Sequence, residues 1–484
     1  MFSDVLYLFV VLLLISFSPM GNEQALMGSH SATFWMGMGI YLALLALIYG
    51  QNKLFKNLLP YHKNRILSLV NVYLILFLAF DHFVLAPHRL LSPSLTLAAA
   101  FSLFLYFLGL FLFHISSYPY LSMKAKGNMR SSISYAWMQL SLTLPFTFPF
   151  LLFSSLLDIG DLVIDGKWKT MLLYQSNQLG EALIAFAFTG AFLVAMVLFF
   201  PPLLQKFWAC KGIQNPAILQ RLETLCRRAR FKHAGMKTWT VMNHAYTAAI
   251  VGVLPRFRYV IFSQKILDAL PPESLEAILA HEIGHNDRKH LLIYPFILLG
   301  MMAGTALFSL FFSESIDTYF SLRAALTPSP LWNIVYSLAV FLPYLAMIFL
   351  YLRFVFGFFS RLFEREADLH VFHLGIPATT MQEALDALGR LTGNTHDLPN
   401  WHHGSIQERI DFLEKAKHQP SLIARHHQKV IGSLLIYGFL LLAMSGIVIS
   451  PLLSPLPPFH QIAAFCKEKS QHISSWLNVT RRYP

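Results

Sequence analysis

Two histidines and a glutamate form the motif with the clearest chemical meaning in this 484-residue chain: His281-Glu282-Ile283-Gly284-His285. On a helix, residues four apart share a face, so both imidazoles can hold one zinc ion. The glutamate beside the first histidine can then act as general base toward a water molecule. Residues 271–279 combine a Pro-Pro-Glu-Ser start with apolar residues at helical spacing, and they predict a helix that runs into the motif. A solvated helix face with two incidental histidines is the alternative.

A catalytic zinc site needs a third protein ligand, and the best candidate lies in residues 360–368, Ser-Arg-Leu-Phe-Glu-Arg-Glu-Ala-Asp. Glu364 and Asp368 are four apart and would share one helix face. One of them could bind the metal while the other orients a ligand histidine from behind. Glu366 would point elsewhere. For each of these carboxylates, a surface salt bridge with a neighbouring arginine is the alternative.

The composition indicates a membrane protein. Hydrophobic residues make up 55% of the chain and charged residues only 13%, values outside the range of soluble proteins. Nine apolar segments approach the length of a bilayer span. They lie at about 5–19, 34–50, 66–86, 95–115, 134–156, 182–203, 291–313, 331–353 and 430–450. Pro145 and Pro149 predict a break or kink in the fifth segment.

The loops between these segments alternate between rich and poor in Lys and Arg. By the positive-inside rule, this alternation predicts that residues 204–290 and 354–429 lie in the cytoplasm and that the C-terminal tail lies outside. The formal charge of +12 is therefore mainly a topology signal. Attraction to anionic lipid headgroups explains the basic residues 227–232 more simply than a nucleic-acid partner does. We expect a multi-pass protein of a bacterial inner membrane, with the motif facing the cytoplasm.

The chain is predicted to be mainly α: a polytopic transmembrane helical bundle of about nine spans with a small α+β cytoplasmic domain. The two halves of that domain are brought together by a membrane hairpin. The predicted divisions are 1–203 with six spans, 204–290 and 354–429 as the two domain halves, 291–353 as the hairpin, and 430–484 as the last span and tail. In the first half, residues 217–230 predict a helix, and 238–242, 247–253 and 259–262 predict strands. Three cysteines support neither a disulfide framework nor a thiolate metal site.

Several motifs resemble, in order, those of the integral-membrane zinc metalloproteases that include the type I CAAX prenyl proteases and the HtpX-like proteases. The resemblance covers about residues 215–415. The similar features are Asn243-His244-Ala245 leading to Gly252, the HExxH motif followed by His290, Ser360-Arg361 with Glu364 and Asp368, and His403-Gly404-Ser405 ahead of Glu408-Arg409-Ile410.

The resemblance implies a zincin-like fold for the domain and roles for six residues. His281, His285 and Glu364 would bind zinc, Glu282 would be the base, Asp368 would support a ligand, and His403 would contact the substrate carbonyl or the oxyanion. The chain departs from the family pattern at the inserted His244 and at Gly404-Ser405, which replaces a diproline. His402 is therefore a rival to His403.

The expected function is that of a zinc metalloendopeptidase that hydrolyses membrane-associated proteins, in quality control or processing. A peptide would lie extended along the strand at residues 247–252; an ordinary buried strand is the alternative for this run. If the motif helix continued unbroken, the metal would lie about 9 Å from the next span, which suits membrane-anchored substrates.

Three alternatives remain open. A site-2-type intramembrane protease would need a later aspartate, and the nearest string is Leu157-Asp158-Ile159-Gly160. A zinc-binding receptor or sensor with a metalloprotease-like domain would not need Glu282. A transporter or channel predicts ionisable residues within spans, where Asp81, His82 and His114 are the few candidates.

Overall fold

The computed structural model describes residues 2–16, 30–55, 59–82, 94–121, 129–164, 178–239, 246–326, 330–398 and 403–453. These residues are mostly helical. Apolar helices dominate the first part of the chain. They are α1 (Phe2–Ser16), α2 (His30–Leu54), α3 (Leu59–Phe80), α4 (Leu95–Leu121), α5 (Met129–Leu140), α6 (Phe148–Ile164) and α7 (Gln178–Phe207). Helices α2, α3 and α4 pack around fully buried side chains that include Tyr41, Leu74 and Phe113.

Five described helices are long and apolar enough to cross a membrane, or six if one bent pair is counted as a single span. The bent pair joins α5 to the helical segment from Leu144, and the two halves meet at 46°. A short 3-10 turn, Leu144–Thr147, separates them and carries a proline in its first turn. Because proline lacks the N–H that an α-helix needs, the chain turns here. The predicted break in the fifth apolar segment is thus confirmed, whereas the count of nine spans stays a prediction.

A small mixed sheet follows α7. Its strands are β1 (Lys211–Gly212), β2 (Gly235–Trp239), β3 (Ala248–Val251) and β4 (Tyr259–Ser263), in the order β1-β2-β4-β3. Strand β2 is parallel to β4, and β3 is antiparallel to β4. Strand β3 therefore forms one edge of the sheet. The strand predicted at 238–242 begins earlier, at Gly235, and its last three residues lie outside the described part of the chain.

Helices cover the sheet and close one apolar core. They are α8 (Pro216–Arg228), α9 (Gln264–Ala269), α10 (Pro272–Asp287), α14 (His370–His373), α15 (Ala378–Leu391) and α16 (Ile406–His418). Leu222, Phe262, Leu279 and Leu413 are among the side chains buried in this core. The two polar halves predicted from the sequence therefore share one set of buried contacts.

The remaining helices link this domain to the apolar part of the chain. They are α11 (His290–Leu326), α12 (Pro330–Leu350), α13 (Gly357–Asp368) and α17 (Ser421–Leu453), with a π-helical turn at Tyr351–Phe356 between α12 and α13. Phe363 and Val430 pack together with Ile297, which joins α11, α13 and α17 in one apolar cluster.

The motif helix does not continue into the next span. Helix α10 ends at Asp287, and α11 begins at His290. Lys289 between them has a φ of 58°, a left-handed conformation that ends an α-helix. The assumption of one unbroken helix is therefore wrong, and the 9 Å separation estimated from it does not apply.

Candidate metal centre and active site

A close approach of α10 and α13 brings the predicted metal ligands together, and Gly284 permits it. A Cβ at this position would lie 2.7 Å from the Cβ of His370 and 3.1 Å from backbone atoms of Ala367. Any side chain here would hold the two helices apart. The glycine inside the histidine motif therefore allows α10 to present its histidines directly to the carboxylates of α13.

Three side chains offer ligand atoms to one point. Nε2 of His285 lies 3.2 Å from Nε2 of His281, while Glu364 oxygens lie 3.4 Å from the former and 3.6 Å from the latter. Two ligands bound at 2.0–2.2 Å to one tetrahedral zinc ion are about 3.4 Å apart. Oε2 of Glu364 is buried and accepts no hydrogen bond from the described residues. The spacing and the chemistry of the donors therefore fit zinc.

Asp368 and Arg409 contact the predicted ligands His281 and Glu364 without belonging to the ligand group. Oδ1 of Asp368 lies 2.8 Å from Nδ1 of His281, so that the Nε2 atom of the histidine faces the other ligands. Arg409 of α16 donates from Nε and Nη2 to the two oxygens of Asp368, at 2.8 and 2.6 Å. Its Nη1 lies 3.3 Å from Glu364. Burial alone would lower the pKa of Arg409, but the two carboxylates raise it above its usual value.

Arg409 is a site residue to which the sequence assigned no role. It lies in the Glu-Arg-Ile string that follows His403, and that string was the only signal for it. A buried guanidinium next to two carboxylates neutralises charge that would otherwise be costly to bury. We therefore assign Arg409 to the framework that holds Glu364 and Asp368 in place.

Glu282 and His403 face the same cavity as the ligand group. Burial raises the pKa of Glu282, against the opposing influence of the two motif histidines. His403 is 43% exposed, and its Nδ1 lies 2.9 Å from Oε1 of Glu364. Its rival His402 and the Asn243-His244-Ala245 segment lie outside the described residues.

The cavity has a volume of about 610 Å³ and three kinds of wall. Tyr246, Thr247 and Ala248 line it at the start of the edge strand β3. The ligand group and the candidate base form its polar side. A third wall is apolar and comes largely from α10 and α15, through Ile278, Met381, Leu385 and Leu388. A polypeptide could therefore lie between a strand edge and an apolar surface while it reaches the polar side.

Glu366 points away from the ligand group, as predicted, and contacts His290 of α11 and His427 of α17. Asp158, the aspartate of the site-2 alternative, accepts hydrogen bonds from the backbone N–H groups of Leu95 and Thr96 and from the Ser94 hydroxyl. It therefore caps the N-terminus of α4, and this contact explains its presence without a metal.

Comparison with known proteins gives an independent line of evidence. Residues 213–417 match the model of peptidase family M48. No curated protein sequence matches the chain. The crystal structure of Ste24p from S. mikatae aligns with 85% of this chain and 97% of its own chain, at 15% sequence identity and a TM-score of 0.44. The M48 match covers the histidine motif, Glu364, Asp368 and His403. The predicted resemblance to membrane metalloproteases is thereby confirmed, and residues 213–417 of this chain are similar to peptidase family M48.

Proposed function

We propose that this protein is a zinc-dependent endopeptidase that hydrolyses membrane-associated polypeptides. The observation that carries the proposal is the meeting of His281, His285 and Glu364 around one point, beside Glu282 and at the wall of one cavity. A zinc-binding site without catalysis would not need a carboxylate next to the ligand group. The M48 match supports a peptidase.

The three side chains around that point would hold the metal. When bound, zinc supplies a Lewis acid that polarises the scissile carbonyl and lowers the pKa of water. Asp368 keeps the Nδ1 proton of His281 on the side away from the metal, because its carboxylate can only accept a hydrogen bond. Arg409 balances the charge of the carboxylates.

Glu282 is the proposed general base. Its carboxylate takes a proton from the attacking water and later delivers it to the leaving amine. Burial raises the pKa of Glu282, and a carboxylate with a raised pKa is a stronger base. His403 faces the same cavity and is the proposed contact for the carbonyl oxygen of the substrate.

The proposed substrate is an extended polypeptide. Strand β3 is an edge of the sheet, and its first residue lines the cavity. Main-chain groups at a sheet edge can pair with a peptide of any sequence, and this mode suits a protease with many substrates. The apolar helix α11 begins three residues after α10 ends, so the site lies next to an apolar helix long enough to span a membrane. That position favours substrates that are themselves held at the membrane.

The proposed topology follows from the charge of the loops. Residues 204–290 and 354–429 would face the cytoplasm, and the hairpin between them would cross the membrane twice. We propose a bacterial inner membrane as the location. Processing of lipid-modified proteins and degradation of damaged membrane proteins are both compatible with this site.

The test is hydrolysis of a fluorescently labelled unfolded protein by the purified chain in detergent, with zinc measured in the same samples. Glu282→Gln should keep zinc and lose hydrolysis. Glu273→Gln is the matched control, because Glu273 lies on the same helix, is exposed and pairs only with Arg221 among the described residues. Zinc without hydrolysis in the wild type would favour the sensor alternative. A wild type that binds no zinc would refute the proposal.

A further inference from the structure

The carboxylate of Glu366 lies near His285 but contacts it only through another side chain. Glu366 is 5% exposed, and its Oε2 lies 3.0 Å from Nε2 of His290. Nδ1 of His290 lies 3.0 Å from Nδ1 of His285. A continuous series of contacts therefore runs from the carboxylate of Glu366, through the ring of His290, to a predicted metal ligand.

The donors and acceptors in this series fix the tautomers of both neutral rings. An ionised carboxylate can only accept, so Nε2 of His290 carries its proton and Nδ1 of the same ring is left with a lone pair. That lone pair accepts the proton of Nδ1 of His285. The remaining nitrogen of His285, Nε2, then has its lone pair free, and it is the atom that lies 3.2 Å from Nε2 of His281. The hydrogen bonds thus prepare His285 to bind a metal.

The same logic applies to both histidines of the motif. Asp368 contacts Nδ1 of His281 directly, at 2.8 Å. Glu366 lies two positions earlier on α13, and two residues correspond to about 200° around a helix. Its side chain therefore points away from the ligand group, and a second ring is needed to bridge the gap to His285. His290 is that ring.

The break between α10 and α11 brings His290 into position. Five residues along an unbroken helix correspond to about 140° around the axis, so His290 would then face away from His285. The left-handed backbone at Lys289 ends α10 and turns His290 back. Its ring stacks on Phe363, with centroids 4.3 Å apart and planes 11° from parallel. Stacking and two hydrogen bonds leave this buried ring a single orientation.

We propose that Glu366 and His290 are positioning residues, which fix the tautomer and orientation of His285 toward the metal. The inference rests on the proposed zinc site. Carboxylates that hold ligand histidines in this way commonly change metal affinity when they are removed. Glu366 would therefore serve His285 as Asp368 serves His281.

The competing explanation is that Glu366 only anchors α17. Its Oε1 lies 2.5 Å from Nδ1 of His427 and 3.7 Å from Nε of Arg288. If anchoring were its whole purpose, loss of Glu366 and loss of His427 would have the same effect on stability. Zinc affinity would then be unchanged in both variants.

The experiment measures zinc affinity of the full-length protein in detergent, by competition with a chelating dye, together with the unfolding temperature. Glu366→Met, which removes the acceptor, and His290→Phe should each weaken zinc binding by about 10–100-fold. His290→Asn should stay close to wild type, because its amide oxygen can take the place of Nδ1 as acceptor for His285. His427→Gln should lower the unfolding temperature and leave zinc affinity unchanged. The double variant Glu366→Met/His290→Phe should bind zinc no more weakly than whichever single variant binds it less tightly.

Three results would overturn the inference. One is wild-type zinc affinity in Glu366→Met. A second is an equal loss in His290→Asn and His290→Phe, and a third is a loss in His427→Gln as large as that in Glu366→Met. If His290→Phe does not fold, Glu366→Met and His290→Asn still decide the question. Failure of the wild type to bind zinc would instead refute the proposed function, so the two failures are distinguishable.

Discussion

Substitution of Gly284 by alanine should separate the two helices that carry the proposed metal ligands. The added Cβ would lie 2.7 Å from the Cβ of His370, whereas carbon atoms in contact normally lie about 3.5–4.0 Å apart. Helix α10 would have to move by about 1 Å relative to α13. Backbone atoms of Ala367 lie at 3.1 Å, so rotation of one side chain cannot relieve the contact.

Both stability and metal binding should respond to this movement. Overpacking of a tight core typically costs about 1–3 kcal/mol. Metal–ligand distances tolerate changes of only about 0.2 Å, so a displacement of about 1 Å should also weaken zinc binding. A loss of stability in Gly284→Ala would be informative, because alanine is otherwise favoured over glycine in a helix by about 1 kcal/mol.

The assay compares Gly284→Ala with Gly432→Ala. Gly432 lies on α17, and a Cβ there would meet no described atom within 4 Å. Unfolding temperature and zinc affinity of the two variants are measured in the same detergent. Gly284→Ala should be lower in both, and Gly432→Ala should match or exceed the wild type. Equal values for the two variants would refute the close-approach argument.

Three further predictions concern Arg409, Asp158 and the metal. Arg409→Lys should lower the unfolding temperature and reduce hydrolysis, because an ammonium cannot replace the two parallel hydrogen bonds to Asp368; wild-type values for both would contradict this framework role. Asp158→Ala should cost about 0.5–2 kcal/mol through loss of a helix cap and leave zinc content unchanged; loss of zinc would instead revive the site-2 alternative. Removal of metal by a chelator should abolish hydrolysis and lower the unfolding temperature, and added zinc should restore both; hydrolysis that persists in the metal-free protein would exclude a metalloprotease mechanism.

Local spacing was sufficient to predict which side chains share a helix face. His281 and His285 share a helix face, and so do Glu364 and Asp368, because residues four apart on a helix point the same way. The resemblance to a protease family added the pairing of the two helices. The role of each residue in catalysis stays a prediction until the variants are measured.

The contacts of Arg409 and His290 could not be predicted from the spacing of residues along a helix. Arg409 reaches Asp368 only because α16 packs beside α13, and no periodicity within α16 predicts that packing. His290 reaches His285 only because the backbone turns at Lys289, a residue whose type does not favour a left-handed conformation. Both contacts depend on tertiary structure. The sequence showed only that these two residues lie near the motifs.

The membrane region was less predictable than the site. Hydropathy marks apolar helices, but helices such as Leu6–Ser16, Arg65–Phe80 and Val194–Phe207 are too short in their described apolar part to count as spans by length. Composition alone does not distinguish a short span from a helix buried among others. The number of crossings therefore depends on packing that the sequence does not reveal.

Along the sequence, the two halves of the candidate metal centre are separated by helices α11 and α12. This separation has a consequence for biosynthesis. During translation, the ribosome completes the histidine motif before it reaches Glu364, and on the proposed topology the chain between them crosses the membrane as a hairpin. A nascent chain that ends within the hairpin has two imidazoles but no third ligand. The proposed metal site would therefore stay incomplete until the chain beyond α12 has been synthesised.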